Sequence, residues 1–163
     1  MRGFTEFEVR EFTKRVKSGV LITDLLKPEI DLRLIKNFTY ANCAGANLAN
    51  KDISDCDFSY ANLTGASMNK VIARGTNFSF ADLSKANMSG GYFKNANFYG
   101  TNCPHVICKG ADFQNANLCK CIFTWGTRAH KGAKITKKQF DALMRIYDVI
   151  DDPQAIEPVV DNE

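Results

Sequence analysis

A bulky residue, apolar in nearly every case, returns at every fifth position from residue 38 to residue 123, eighteen times without an insertion. That period constrains the fold more than any other feature of the chain. It is neither the 3.6-residue period of a helix nor the two-residue alternation of a flat strand. Taking the returning residue as the centre of each unit, the series runs Phe38, Cys43, Leu48, Ile53, Phe58, Leu63, Met68, Ala73, Phe78, Leu83, Met88, Phe93, Phe98, Cys103, Cys108, Phe113, Leu118, Phe123. The residue two before the centre is small in most units, with Lys36 and Lys51 as exceptions. Asn or Asp stands between the two in thirteen units.

A chain that turns a corner every five residues can aim two side chains per unit at a common interior. Its backbone groups then pair with the turns above and below at the strand spacing of about 4.8 Å. Laying the sequence in rows of twenty tests the idea. One column becomes Phe38, Phe58, Phe78, Phe98, Leu118, which is what a stacked aromatic ladder requires. The other columns are Cys43, Leu63, Leu83, Cys103, Phe123; Leu48, Met68, Met88, Cys108; and Ile53, Ala73, Phe93, Phe113. Ala73 beside Phe93 reads as large–small compensation. Lys51, the inward lysine of the first coil, is expected to reach out of the open end toward Glu29 or Asp31.

Units such as Ala46-Asn47-Leu48, Ala61-Asn62-Leu63, Ala81-Asp82-Leu83 and Ala116-Asn117-Leu118 match the consensus A-(D/N)-L-x-x. The sequence therefore resembles the pentapeptide-repeat family over about 90 of its 163 residues. The resemblance implies an all-β solenoid, a right-handed quadrilateral β-helix with four pentapeptides per turn. Eighteen units make about 4.5 coils of 20 residues, on the order of 22 Å of rod at the usual strand spacing.

The flanks differ in pattern. Residues 1–35 are expected to form an N-terminal helical cap, as repeat arrays need an atypical terminal unit. Thr5 and Glu8 have capping-box spacing, and Phe7, Val9, Phe12 and Val16 predict a helix over about 6–17. A second short helix is expected from Thr23 to Lys27, stopped by Pro28. The repeat occupies 36–125. Residues 126–152 read as a loop, one last irregular unit around Ala133 and Ile135, and a C-terminal α-helical cap. Thr136 and Gln139 form that helix's capping box, and Phe140, Leu143, Met144, Tyr147 and Ile150 its apolar face. The tail 153–163 continues an acidic run from Asp151 that holds five acids and no base, and is expected to be disordered.

Chemistry-bearing candidates fit the scaffold better than a reaction. Cys43, Cys56, Cys103, Cys108 and Cys121 all fall on inward positions, where cysteine acts as a small hydrophobe. Only Cys119 faces outward. No two cysteines are twenty apart, so no simple disulfide between coils is set up. The run Cys103-Pro104-His105-Val106-Ile107-Cys108 has the letters of a metal site, yet its cysteines belong to adjacent walls and point inward. With two histidines in the chain and no nucleophile–base pair, neither catalysis, a metal nor a cofactor is expected. The N-terminus lacks a signal-peptide core, and no stretch approaches the ~18 apolar residues of a membrane span. A reduced, cytoplasmic protein without membrane contact or small-molecule substrate is the expectation.

Function, if legible, lies on the outward positions. The second free position of the first wall reads Tyr40, Tyr60, Phe80, Gly100, Lys120, with Tyr99 beside it. Tyr40, Tyr60, Phe80 and Tyr99 make an aromatic stripe that the repeat does not require, and exposed apolar area of this kind marks a contact. A terminal helix or simple stacking between coils would also account for it. Ile72 and Tyr92 form a smaller apolar pair on the fourth wall. The reading is a non-catalytic scaffold for protein–protein interaction, with a homodimer as one form of the contact. The alternative comes from the resemblance: some family members protect DNA gyrase, a type II topoisomerase, by imitating duplex DNA with a strongly negative rod. Here the repeat carries Lys36, Lys51, Lys70, Arg74, Lys85, Lys94, Lys109 and Lys120 against Asp52, Asp55, Asp57, Asp82 and Asp112, a net +3 of the wrong sign. The basic stretch Arg128, Lys131, Lys134, Lys137, Lys138 lacks aromatic interleaving, so nucleic-acid binding is not expected.

Overall fold

The computed structural model describes residues 5–17, 31–123, 135–136, 138–139 and 158–159. Within 37–123 every bridging residue pairs in parallel with the one twenty further on: Asn37 with Asp57, Asn42 with Asn62, Asn47 with Ser67, Asp52 with Ile72, and so on up the rod. The pairing is extended at β1 (Asn102–Cys103) and β2 (Ile122–Phe123). The twenty-residue row is thus the physical turn, with four walls per coil.

Each unit solves the same local problem. In the unit centred on Phe58, the Asp57 amide donates to the Lys36 carbonyl one coil back (2.6 Å) and the Phe58 amide to Asn77 one coil on (2.7 Å). The Ala61 amide then closes a turn on the Phe58 carbonyl (3.1 Å). Backbone polar groups are satisfied between coils, so the interior can be wholly apolar. The Asn or Asp before the centre has a defined task there. Its side-chain oxygen accepts from the amide two residues on, as in Asp57 from Ser59 (2.8 Å) and Asn97 from Tyr99 (3.1 Å), an Asx turn that starts the corner.

The second residue after each centre, from Tyr40 to Lys120, has φ between 55° and 66°. The corner therefore demands the left-handed region at every unit, which explains six glycines there and also makes any bulky residue costly.

The core is a continuous file of side chains. Phe38 and Phe58 stack at 4.4 Å, Phe58 and Phe78 at 5.8 Å, Phe78 and Phe98 at 5.0 Å between centroids. Phe93 and Phe113 stack on the fourth wall (5.1 Å) and meet Phe98 edge-on. Room for the Phe93 ring is also made at Gly91, where an added Cβ would collide with it. Two buried threonines, Thr76 and Thr101, turn their hydroxyls to the carbonyls of Ile53 and Phe78 (2.8 and 2.7 Å). Their polarity is thereby met inside the core.

Helix α1 (Glu6–Lys17) begins at the predicted capping box: the Thr5 amide donates to Glu8 Oε2 (2.8 Å) and the Glu8 amide to Thr5 Oγ1 (3.3 Å). Phe12 and Val16 are buried, and Phe12 sets its edge against Phe38, the first rung of the ladder (6.4 Å, 76°). Phe7 is 71% exposed and does not join that face. Five residues before Phe12 it lies about 140° around the helix, whereas Phe12 and Val16 are four apart. A 3₁₀ turn at Leu32–Leu34 follows, with Leu32 and Ile35 buried under the first coil. Asp31 is held by Arg33 (3.0 Å), which also reaches Asp52 (3.2 Å). Lys51 itself is half-buried.

At the other end, β3 (Ile135–Thr136) pairs in parallel with β4 (Pro158–Val159). Pro158–Val159 fall within the tail 153–163, of which the other residues lie outside the described ones; the β-branched Ile135, Thr136 and Val159 suit a strand. Gln139 donates its side-chain amide to the carbonyls of Phe113 (2.8 Å) and Ala116 (2.7 Å) on the last coil. The second N-terminal helix, Ala133, the apolar face from Phe140 onward and most of the basic stretch lie outside the described residues.

Candidate functional site

The stripe is a product of the corner geometry. Rows of twenty place Tyr40, Tyr60 and Phe80 in one column, and the coil rise leaves about 4.8 Å between them. The rings stack accordingly: Tyr40 on Tyr60 at 4.9 Å and 15°, Tyr60 on Phe80 at 5.1 Å and 12°. Below them the column continues as Gly100, and a Cβ there would lie 2.8 Å from Phe80 Cε1, so the Phe80 ring rests over the glycine. Tyr99 meets Phe80 edge-on (5.5 Å, 78°), and the Lys120 ammonium sits 5.2 Å above the Tyr99 ring. The hydrogen bond between Tyr99 and Lys120 pushes the lysine pKa up.

All four stripe residues are thus brought together. Tyr40 is 68% exposed, Tyr60 and Phe80 each 47%, and Tyr99 is half-buried. Because the rings lie face to face, they turn their edges outward and keep one broad ring face open at Tyr40. Each of the three also holds the left-handed backbone of its corner, with φ of 60°, 59° and 58°. Tyrosine and phenylalanine are poor residues for that conformation, so exposure and backbone both disfavour them here.

A polar ladder fixes the backbone beside the stripe. The Asn77 side-chain amide donates to Asp57 (3.1 Å), Asn97 to Asn77 (3.1 Å) and Asn117 to Asn97 (3.0 Å). Each of these side chains also accepts from the amide two residues on. The rungs that carry Tyr60, Phe80 and Tyr99 are therefore pinned twice, once to their own chain and once to a neighbouring coil.

Of the other exposed apolar residues, Tyr92, Ile107 and Ile122 stand on three different walls and Phe7 and Leu34 lie near the N-terminal end; Ile72, half-buried, bridges to Tyr92 one coil on, so that pair is adjacent on the fourth wall. Chemistry-bearing groups are dispersed as well. His105 occupies an exposed corner at φ 57°, away from the inward Cys103 and Cys108. Burial pushes the Cys43 and Cys56 thiols up to about 12, and burial also raises Cys103 and Cys108 well above the ordinary value. Such thiols are poor nucleophiles. One contact escaped the rule of twenty: Cys103 Sγ and Cys121 Sγ lie 3.5 Å apart, both reduced and buried. A centre and a small position both point inward, so residues eighteen apart can meet on the diagonal. Among the described residues no group of three or more His, Cys, Asp or Glu side chains is placed to hold a metal, and no helix is long and apolar enough to cross a membrane.

With coil, corner and core in view, the comparisons with known proteins agree on the class. A family model described as pentapeptide repeats matches residues 37–72, 52–90, 76–107 and 92–124, more than half of the chain. The chain belongs to the pentapeptide-repeat family, whose members form right-handed quadrilateral β-helices. Among solved structures it is similar to HetL, a pentapeptide repeat protein involved in heterocyst differentiation regulation from the cyanobacterium Nostoc sp. strain PCC 7120. Identity is 19% over 61% of this chain and 55% of that one, with a TM-score of 0.42. A pentapeptide repeat protein of the Arabidopsis thaliana thylakoid lumen is 22% identical over 74% of this chain and 79% of that one (TM-score 0.39). QnrB1, a plasmid-mediated fluoroquinolone resistance protein, is 16% identical over 69% of this chain and 73% of that one (TM-score 0.24). The chain spans about half the length of HetL. At these values none of the three assigns a function. No curated protein matches the chain in sequence.

Proposed function

We propose that this protein is a non-catalytic scaffold, a rod of about 4.5 coils closed at its ends by helical segments, which binds a protein partner along the stripe Tyr40, Tyr60, Phe80 and Tyr99. The observation that carries the reading is the placement of three exposed, stacked rings at left-handed corners. Glycine or asparagine would serve the fold better there, so the rings answer to something outside it. A reducing, cytoplasmic setting suits six thiols that are all reduced. The test is affinity capture from the native host with wild type and with Tyr60→Glu/Phe80→Glu. A specific partner retained by wild type and lost from the variant is the expected result; an identical set of captured proteins overturns the reading.

The second reading is mimicry of duplex DNA toward a type II topoisomerase. The charge of the repeat, +3 over residues 36–125, runs against it. Dose-dependent inhibition of gyrase supercoiling by the purified protein would restore it.

A further inference from the structure

We infer that the third wall of the rod, opposite the aromatic stripe, is a second docking face and that it takes an extended acidic segment of a partner protein. This wall comprises the units centred on Leu48, Met68, Met88 and Cys108, with the two corners that bound them. Its charge and its hydrogen-bonding groups point the same way.

The wall and its corners hold Lys70, Lys85 and Lys109 and, among the described residues, no carboxylate. The other five cations of the repeat are matched by its five carboxylates, so the net +3 over residues 36–125 resides on this one side. All three lysines are exposed, and none is in an ion pair among the described residues. The nearest acids along the chain are engaged on the adjoining walls. Asp82 on the second accepts from Ser84 and Asn102, and Asp112 on the fourth pairs with Lys94 at 3.5 Å. The lysines fall in three successive coils and three different columns, so no ammonium is stacked on another. The Lys70 stem lies over Gly90. His105 follows Lys85 in its corner column and carries the same sign when protonated.

The asparagines add donors to that charge. On the first wall the side-chain amides of Asn77, Asn97 and Asn117 donate to the coil before, and on the second wall Asn102 does the same. On the third wall Ser67 interrupts such a ladder. The oxygens of Asn47 and Asn87 are taken by the amides of Ala49 and Ser89, at 3.1 Å each, and that of Asn69 by the Ser67 hydroxyl at 2.7 Å. Each of these asparagines has its oxygen engaged and keeps an NH2 group, with two donors, for a ligand. Ammonium and amide donors on a face without carboxylates fit a ligand rich in acceptors.

Three lysines are fewer than the roughly four to eight basic residues that hold a protein on an anionic membrane. Among the described residues the wall also has no aromatic ring on which a nucleic-acid base could stack. An extended peptide lies flat on a flat wall, and its alternate side chains recur on one face about 6.6–6.8 Å apart.

The probe is a fluorescein-labelled peptide of alternating Glu and Ser, followed by fluorescence anisotropy against the full chain at about 50 mM salt. Wild type should bind it and release it as salt rises toward about 0.5 M. Lys70→Gln/Lys85→Gln/Lys109→Gln, with circular dichroism unchanged, should weaken binding by about tenfold or more. Lys36→Gln/Arg74→Gln/Lys120→Gln removes the same charge from elsewhere on the repeat and should stay within about twofold of wild type. Asn87→Ser keeps an acceptor for the Ser89 amide but drops the NH2 donors, and should cost about threefold. Equal losses in the two triple variants would reduce the effect to net charge and overturn the face, as would a wild type that does not bind. Tighter binding to phosphatidylserine vesicles or to polyuridylate than to the peptide would overturn the acidic segment as its ligand. The face lies away from the stripe, so failure here leaves the scaffold reading standing.

Discussion

The first wall carries two stacks of aromatic rings, four inside and three outside, which share the twenty-residue repeat and differ in burial and backbone. Inside, Phe38, Phe58, Phe78 and Phe98 are fully buried at the centre of their units. Outside, Tyr40, Tyr60 and Phe80 stand half or more exposed at corners with positive φ. Stacking alone does not make a ladder structural. The inner rings gain from removal from water, from dispersion contacts on all sides and from a relaxed backbone. The outer rings keep only the pairwise ring contact, about 0.5–1.5 kcal/mol per pair, and set it against a left-handed corner that costs about 1–2 kcal/mol.

The largest expected effect tests the inner stack. Phe58→Ala should lower unfolding free energy by about 3–5 kcal/mol in denaturant titration, as buried Phe truncations do. A loss below about 1 kcal/mol would place Phe58 elsewhere than the core. The comparison is sharpest when glycine replaces alanine. At the corner, Tyr60→Gly should be more stable than Tyr60→Ala by about 1 kcal/mol, because glycine relieves the positive φ. At the centre, Phe58→Gly should be less stable than Phe58→Ala by roughly 0.5–1 kcal/mol, since no positive φ is there to relieve. If both positions rank the same way, the two ladders are not distinguished by their backbone.

Asn97→Ala breaks the polar ladder that pins the stripe, removing bonds to Tyr99, Asn77 and Asn117. About 1 kcal/mol should be lost, with the core ladder untouched. The smallest effect lies at the rod's entrance. The Arg33 hydrogen bond holds the Asp31 carboxyl below its ordinary 3.8. Partial burial raises Asp52, but the Ser54 hydrogen bonds and Arg33 outweigh it, and its pKa is lowered too. Carboxylates depressed in the folded state stabilise it above the unfolded value, and that contribution is lost as pH falls through the folded one. The stability difference between wild type and Arg33→Ala should therefore be present at about pH 6 and shrink as pH falls below the ordinary carboxylate value of 3.8. A difference that grows on acidification would show the sign to be wrong.

Much of this was legible in the residues. The twenty-residue row, the Phe column, the capping box of Thr5 and Glu8 and the gathering of Tyr40, Tyr60, Phe80 and Tyr99 all follow from a strict period, because a regular coil converts sequence distance directly into height. What the period does not encode is direction within a rung. The preference for Asn and Asp before each centre is visible as letters, yet its Asx turn needs the corner's geometry. Six glycines at the second free position were the available sign of positive φ. The Cys103–Cys121 contact is diagonal, so a search along columns passes over it. The exposed Phe7 shows the reverse limit: an apolar residue in a helical pattern is not thereby on the buried face.

The contacts at the two extremities bear on how long such an object can become. A stack of parallel coils has no internal reason to stop, and an uncovered last rung offers hydrogen-bonding groups to the first rung of another molecule, which is how fibrils grow. Phe12 lies across the first ring of the inner ladder. At the far side the Gln139 amide takes two carbonyls that would otherwise face outward along the axis. Small as they are, these contacts oppose end-to-end filament growth.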